Sequence, residues 1–393
     1  MEFREERITI THTADEYDRY LNAVVPPVFL NSLHVYDRFE DYREAASNPC
    51  REGSYVYGRD GNPTVHMLER KIAELEHGAR AVAFASGMGA AAAAIMATCQ
   101  SGSHVICMRD VYQPVKRFLN NFCVPRFGMT VTYVSGNDLD EMETAIKKPG
   151  SSLVILESPA TFVFRVVDLT EIAKLAHRYG VKTYVDNTCL TPLFQKPLDM
   201  GIDISMHTIS KYIGGHSDLI GGVLVSKDEE LMCSIITTVR EWYASILGPM
   251  EAWLAIRGLR TLPVRIMEHQ RTGMAVAEWL TRHPKVKRVH YTGLASHPQA
   301  DLIRKQQKGH TSLMSVELDA DPDAAVAFIN RLRLFEKGCS WGGYESLALV
   351  PLYAAKEEEI AFLKAERGLI RLYCGLEGTE NLVDDLESAF RGM

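Results

Sequence analysis

The stretch AVAFASGMGAAAAAIMATCQSGSHVICM, residues 81–108, carries no Lys, Arg, Asp or Glu and is long enough to cross a bilayer. Its interior argues against a membrane span. Ser86-Gly87-Met88-Gly89 and Gln100-Ser101-Gly102-Ser103 interrupt it, and the pieces between them read as strand, Ala-rich buried helix and strand. The same alternation continues downstream. Leu153-Val154-Ile155-Leu156 is an apolar run, followed by a helix with Asp168 and Glu171 at capping-box spacing and Gly180 at its stop. Thr183-Tyr184-Val185 then leads into Asp186. Strands separated by such helices imply right-handed crossovers, so the fold class is α/β: a mostly parallel central sheet with helices on both faces. Functional groups then belong at the carboxyl ends of the strands.

Outward from this block the texture changes. Upstream, Asn62 can cap a helix that starts with Pro63 and carries Leu68, Ile72, Leu75 and Ala79 on one stripe. Residues 1–58 lack sustained periodicity and read as an arm. From about residue 246 come long helical segments (251–282) and the alternating Leu313-Met314-Ser315-Val316-Glu317-Leu318, which suggest a smaller α+β unit with an antiparallel sheet. The expected division is 1–58 as an arm contacting a neighbouring subunit, 59–245 as the large α/β domain and 246–393 as the C-terminal α+β domain.

Composition narrows the function. The 393 residues hold 43 Lys+Arg against 50 Asp+Glu, a balance that disfavours nucleic-acid binding. Eight scattered cysteines without a C-x-x-C pair read as mostly reduced thiols. The charged start MEFREERITITHTADEYDRY lacks the apolar segment of a secretory signal, so a cytoplasmic protein is expected. No H-E-x-x-H or paired Cys/His spacing occurs, so no metal site is expected. No G-x-S-x-G elbow is present either.

Gly87-x-Gly89-x-x-Ala92 follows a strand and opens a helix. Free N–H groups and the positive end of the helix dipole suit any phosphate there, and a nicotinamide cofactor stays open on this feature alone. Asp186 and Lys211 sharpen the reading. Lys211 lies in His207-Thr208-Ile209-Ser210-Lys211-Tyr212, after an apolar strand and before glycines. Pyridoxal 5′-phosphate (PLP) needs a lysine amine to condense with its aldehyde, an acid to keep its pyridine nitrogen protonated, and hydroxyl and helix N–H groups for its phosphate. Lys211 can supply the amine and Asp186 the acid, while Thr208, Ser210 and the Gly87-Met88 turn can supply the phosphate contacts.

Together with Tyr57-Gly58-Arg59, Glu157-Ser158-Pro159, Gly215-His216-Ser217-Asp218, Arg257-Gly258-Leu259-Arg260 and Glu345-Ser346-Leu347, these residues resemble, in order from about residue 50 to the C-terminus, the Cys/Met-metabolism family of PLP-dependent enzymes. Ser340-Trp341-Gly342-Gly343-Tyr344, Tyr57-Gly58-Arg59 and Tyr112-x-Pro114 are most similar to its bacterial cystathionine β-lyase branch.

The resemblance implies the PLP-dependent fold type I. It implies that Tyr57 and Arg59 reach a neighbouring subunit's cofactor phosphate, with Tyr57 also near the substrate, and that Tyr112 stacks on the cofactor ring and assists proton transfer. Arg371 would hold the substrate carboxylate, with Ser340 and Trp341 lining that pocket. The implied molecule is a homo-oligomer, a dimer or a dimer of dimers, with shared active sites. The implied reaction is β-elimination of L-cystathionine or a related cysteine S-conjugate to a thiol, pyruvate and ammonia. The alternative is a sibling activity, methionine γ-lyase or O-acylhomoserine sulfhydrylase, with a nicotinamide-dependent oxidoreductase and a non-catalytic PLP-binding protein as weaker readings. Two departures stand out: Cys339 occupies a position where γ-enzymes usually carry glutamate, and Thr161 one where most members have asparagine.

Overall fold

The computed structural model describes residues 3–48, 50–243 and 245–393. Seven strands, β1 (Arg80–Phe84), β2 (His104–Met108), β3 (Thr130–Val134), β4 (Ser151–Glu157), β5 (Lys182–Asp186), β6 (Ile204–Thr208) and β7 (Gly222–Ser226), form one sheet in the order β1-β7-β6-β5-β4-β2-β3. The β6-β5, β5-β4, β4-β2 and β2-β3 pairs are parallel. The exception is β7, antiparallel to both β6 and β1. The connection from β6 to β7 contains the Lys211 loop and no helix, so the chain returns antiparallel without the longer crossover that a parallel partner requires.

Local sequence explains how these elements begin. Asn62 accepts the N–H groups of Thr64 and Val65 at 2.9 and 3.4 Å and starts the Pro63–Leu75 helix, whose Leu68, Ile72 and Leu75 are buried. Ser86 accepts the Gly89 N–H at 2.9 Å and starts the Ala-rich helix Gly87–Thr98, which packs into the core between sheet and solvent. Asp168 caps the Leu169–Arg178 helix through the Glu171 N–H. The carboxylate of Glu171 turns to Lys174.

A second, antiparallel sheet of β8 (Val286–His290), β9 (Leu313–Leu318), β10 (Leu347–Leu349) and β11 (Ile370–Tyr373) runs β10-β11-β9-β8. The helix Pro249–Thr281 joins the two parts. Its first half buries Ile256, Leu259, Leu262 and Ile266 in the core that also holds the Pro63–Leu75 helix, and its last turns bury Val276, Ala277 and Leu280 under the second sheet. One rod thus carries the small sheet to the carboxyl ends of the large one.

The start of the arm is docked on its own chain. The Arg4–His12 helix buries Ile10, Phe3 packs on Phe194 at 5.7 Å between ring centroids, and Lys71 Nζ meets Asp15 at 3.0 Å. Beyond it the arm exposes Leu21, Val24, Leu30, Val35 and Phe39, with Leu21 96% and Val35 87% accessible. The expectation of mostly reduced thiols needs one correction: Cys50 and Cys233 form a disulfide with their Cα atoms 5.7 Å apart, while the other six cysteines are free. The pair is separated by 183 residues, so no local spacing could announce it. Among the described residues, no helix is long and apolar enough to cross a membrane.

Candidate active site

Asp186 ends β5, and its Oδ1 accepts both the N–H and the hydroxyl of Thr188, at 3.0 and 2.5 Å. The same hydroxyl accepts the Thr208 N–H at 2.8 Å, tying the end of β5 to the end of β6. Among the described residues, Oδ2 of Asp186 has no hydrogen-bond donor. Burial raises the Asp186 pKa; the Thr188 hydrogen bonds and the nearby His207 and Lys211 oppose the rise.

Lys211 lies three residues beyond β6. Its Nζ donates to the Ser340 hydroxyl and stands 5.3 Å from the centroid of the Trp341 ring. Burial, followed by the charge of Arg371, pushes its pKa down to about 8. About a tenth of the amine is therefore unprotonated at pH 7, far more than for an ordinary lysine, as a nucleophile or base requires. Arg371, on β11, donates to the Ser340 carbonyl at 3.0 Å. Ser340 thus takes one hydrogen bond from each of the two cationic side chains, and it holds a left-handed backbone, φ 88°, which is strained for a residue with a Cβ. Gly342 is needed next to it, because a Cβ there would lie 2.7 Å from the Tyr212 backbone nitrogen. The loop of the small domain therefore rests on the backbone that presents Lys211.

The phosphate-type features also converge. A Cβ on Gly87 would sit 2.1 Å from the Thr208 hydroxyl, and one on Gly222 would sit 2.4 Å from the Ser86 carbonyl. Only glycine lets the helix start, β6 and β7 meet this closely. Ser210 accepts the Gly221 N–H at 3.0 Å, which fixes its hydroxyl beside the same strands. The first-turn N–H groups at Gly87 and Met88 have no partner within their helix. Helix N–H groups, two hydroxyls, a lysine amine and a carboxylate with a free oxygen fit the phosphate, aldehyde and pyridine nitrogen of PLP.

Tyr112 stands at the rim, 50% exposed, with its N–H held by Glu157 Oε2 at 2.7 Å. Burial raises the pKa of its phenol, which stays a neutral acid. Tyr57 and Arg59 lie elsewhere on the single chain. Tyr57 pairs with Leu33 of the arm and is 47% exposed, while Arg59 contacts Asp60 at 3.4 Å and the Tyr57 ring. Among the described residues, no hydrogen bond or ion pair joins either to the Lys211 and Asp186 cluster. A cavity of about 580 Å³ adjoins the site at Thr161, lined by Arg109, Lys116 and Phe362 among others but not by Lys211, Asp186 or Arg371.

Two supporting residues were not picked out from the sequence. Arg265 is buried and donates to the carbonyls of Tyr212 and Gly258 at 2.8 and 2.7 Å, bracing the turn behind Lys211. Glu157 ends β4 directly in register with Asp186. Burial, followed by the Asp186 charge, pushes its pKa up to about 8. Its signal was present, since an acid after an apolar run is also what marked Asp186.

A lysine and a carboxylate at the ends of neighbouring strands, above a helix start fit for phosphate, on a mostly parallel sheet with a small antiparallel C-terminal sheet, define a PLP-dependent enzyme of fold type I. More narrowly, the model of the family "Cys/Met metabolism PLP-dependent enzyme" matches residues 8–391, and the chain belongs to that family, with PLP as its cofactor. It is 35% identical to the L-methionine gamma-lyase of Fusobacterium nucleatum over 368 residues, 92% of each chain. It is also 35% identical to the cystathionine beta-lyase of Coxiella burnetii over 384 residues, 97% of this chain and 96% of that one. The crystal structure of cystathionine gamma synthase from Xanthomonas oryzae pv. oryzae in complex with cystathionine superposes with a TM-score of 0.90 at 34% identity, covering 98% of this chain and 97% of that one.

Proposed function

We propose that this protein is a carbon–sulfur lyase that β-eliminates L-cystathionine or a related cysteine S-conjugate and, with one water consumed in hydrolysing the eliminated enamine, gives a thiol, pyruvate and ammonia. PLP, when bound, supplies an electron sink for the charge left when the α-proton departs. Lys211, released from its hydrogen bond to Ser340, takes that proton on Nζ. Arg371 holds the substrate carboxylate in a charge-assisted, bidentate grip and orients the Cα–H toward the amine. The Tyr112 hydroxyl gives its proton to the departing sulfur. Asp186 holds a proton at the pyridine nitrogen, and Thr208, Ser210 and the Gly87-Met88 turn hold the phosphate.

The observation that carries β- over γ-elimination is the residue at the pocket wall. Cys339 directly precedes Ser340, the residue to which both Lys211 and Arg371 donate. No carboxylate takes that place to manage the extra proton shift of a γ-reaction. The experiment is product analysis with L-cystathionine. Pyruvate with homocysteine is expected, whereas 2-oxobutanoate with cysteine would replace this reading with the γ branch. The second reading, methionine γ-lyase, draws on the similarity to the Fusobacterium nucleatum enzyme and predicts methanethiol from methionine.

Arg371→Leu is expected to raise KM for L-cystathionine roughly 100-fold or more, because two charged hydrogen bonds to the carboxylate are lost. Steady-state kinetics check this; an unchanged KM would remove Arg371 from substrate binding. The exposed apolar side chains of the arm, with Trp242 75% and Tyr243 62% accessible further along the chain, support a homo-oligomer whose arm brings Tyr57 and Arg59 to a neighbour's cofactor phosphate.

A further inference from the structure

Glu157 and Asp186 end adjacent parallel strands in direct register, so their side chains leave the sheet on the same side. Each keeps part of its surface open. Their partners differ. Asp186 receives the Thr188 N–H and hydroxyl, and Lys211 and His207 lie near it. Among the described residues, the donors to Glu157 are neutral: the Tyr112 N–H at 2.7 Å on Oε2 and the Thr161 hydroxyl at 2.5 Å on Oε1.

Among the described residues, no ion pair reaches Glu157. Asp186 faces it from β5, and Asp110 faces it from the turn after β2, itself paired with Arg165 at 3.2 Å. Tyr184 on β5, Cys107 on β2, and Tyr112 and Cys189 in the flanking loops also face it, while Lys116 and Arg109 act on Asp110 and Lys116 donates to the Arg109 carbonyl. Two carboxylates at adjacent, in-register strand ends resist simultaneous ionisation. The proton goes to the one without a cation, and burial with the adjacent Asp186 charge raises the Glu157 pKa accordingly.

We propose that Glu157 is a positioning residue of the cofactor site: as a neutral carboxylic acid it ties the Tyr112 backbone and the Thr161 hydroxyl to the end of β4 and leaves Asp186 the single ionised carboxylate beside the pyridine nitrogen. This rests on the reading that Lys211 and Asp186 hold PLP in this cleft. Tyr112 carries its phenol on a segment that is half in solvent, so its placement depends on a backbone anchor. Glu157 supplies that anchor, and Thr161, three residues past the start of the Ser158-Pro159 turn, is held to the same carboxyl.

The test uses PLP-loaded wild type, Glu157→Gln, Glu157→Ala and Thr161→Val, with visible absorption followed from about pH 6 to about pH 10 and kcat and KM measured for L-cystathionine. Glu157→Gln keeps a neutral group that can hold both partners. It is expected to recover kcat to within about threefold of wild type and to lose an absorption step that wild type shows as Glu157 ionises on the alkaline side. Glu157→Ala is expected to lower kcat roughly 30- to 100-fold with KM little changed, the effect of a displaced Tyr112. Thr161→Val, which removes only the hydroxyl that reaches Glu157 Oε1, is expected to lower kcat about fivefold and to fold if Glu157→Ala does not.

Equal impairment of Glu157→Gln and Glu157→Ala would overturn the proposal, because the carboxyl would then act as an anion or a proton carrier. So would wild-type kcat and absorption in both Glu157→Gln and Thr161→Val across the whole pH range. Failure of the wild-type protein to take up PLP is a separate result, and it would remove the underlying reading of the cleft.

Discussion

Lys211→Ala is expected to lower kcat/KM for L-cystathionine by at least about 10³-fold to 10⁴-fold, since in the proposed function Lys211 is both the covalent anchor and the base. The amine is suited to both tasks because burial and the Arg371 charge lower its pKa to about 8, and because its hydrogen-bond partner, the Ser340 hydroxyl, is neutral and exchangeable. The fold should survive. No ion pair is broken, the amine itself pays a desolvation cost in the native state, and the Tyr212 turn stays braced by Arg265. The thermal midpoint is expected to move by no more than a few degrees, roughly the effect of 1 kcal/mol in a chain of this size. Steady-state kinetics and a melting curve on the same preparation decide it. Activity within about tenfold of wild type would mean that another amine does the work.

Lys211 and Asp186 are legible because both follow apolar runs, and strand ends in an α/β sheet are where side chains meet a ligand. The glycines around Gly87 were legible for a similar reason, and the structure gives them a steric cause in the contacts with Thr208 and Ser86. What was not legible depends on contacts between distant segments. Ser340 reads as a pocket-lining serine, but its left-handed backbone and its two cationic donors appear only when β11 and the Lys211 loop are brought together. The antiparallel direction of β7 has no periodic signature, since all five of its residues are buried as a parallel strand's would be. β3 was missed although Thr130-Val131-Thr132-Tyr133-Val134 is rich in β-branched residues; it is a sheet edge with only its last residue fully buried. The arm lacks a sustained period because its docked Arg4–His12 helix buries apolar side chains at Phe3 and Ile10, seven apart, and its Phe39–Ser47 helix buries Ala45 alone.

Glu157 shows a different limit. Its motif was visible, but the pairing with Asp186 is a matter of strand register, and register between β4 and β5 is set by the whole sheet. Once the two acids are side by side, electrostatics distinguishes them. Both accept a backbone N–H and a hydroxyl, but Asp186 also has Lys211 near it, whereas the next charged group at Glu157 is Asp186 itself. The site therefore separates two chemically similar groups by their neighbours rather than by their type.

The same difference makes Asp186→Asn the most informative of the remaining substitutions. Asparagine can still accept the Thr188 N–H and hydroxyl on Oδ1, so the link between β5 and β6 is kept and only the charge is lost. A charge pair at hydrogen-bond range in a site of effective dielectric near 20 is worth about 4 kcal/mol, so kcat is expected to fall roughly 10²- to 10³-fold. Stability should move the other way in the cofactor-free protein. The folded-state pKa of Asp186 is raised, so the native state binds more protons than the unfolded chain between the ordinary and the raised value. Stability therefore falls as pH rises through that window, and at neutral pH the ionised Asp186 is a net cost. Removing its charge also relieves Glu157, whose pKa should drop toward the ordinary carboxylate range. Cofactor-free Asp186→Asn is thus expected to melt at or above the wild-type temperature at neutral pH, with the difference shrinking as the pH is lowered, while the PLP-loaded variant is the slower enzyme. A variant that melts lower at neutral pH and keeps wild-type kcat would show that Asp186 serves the fold and not the cofactor.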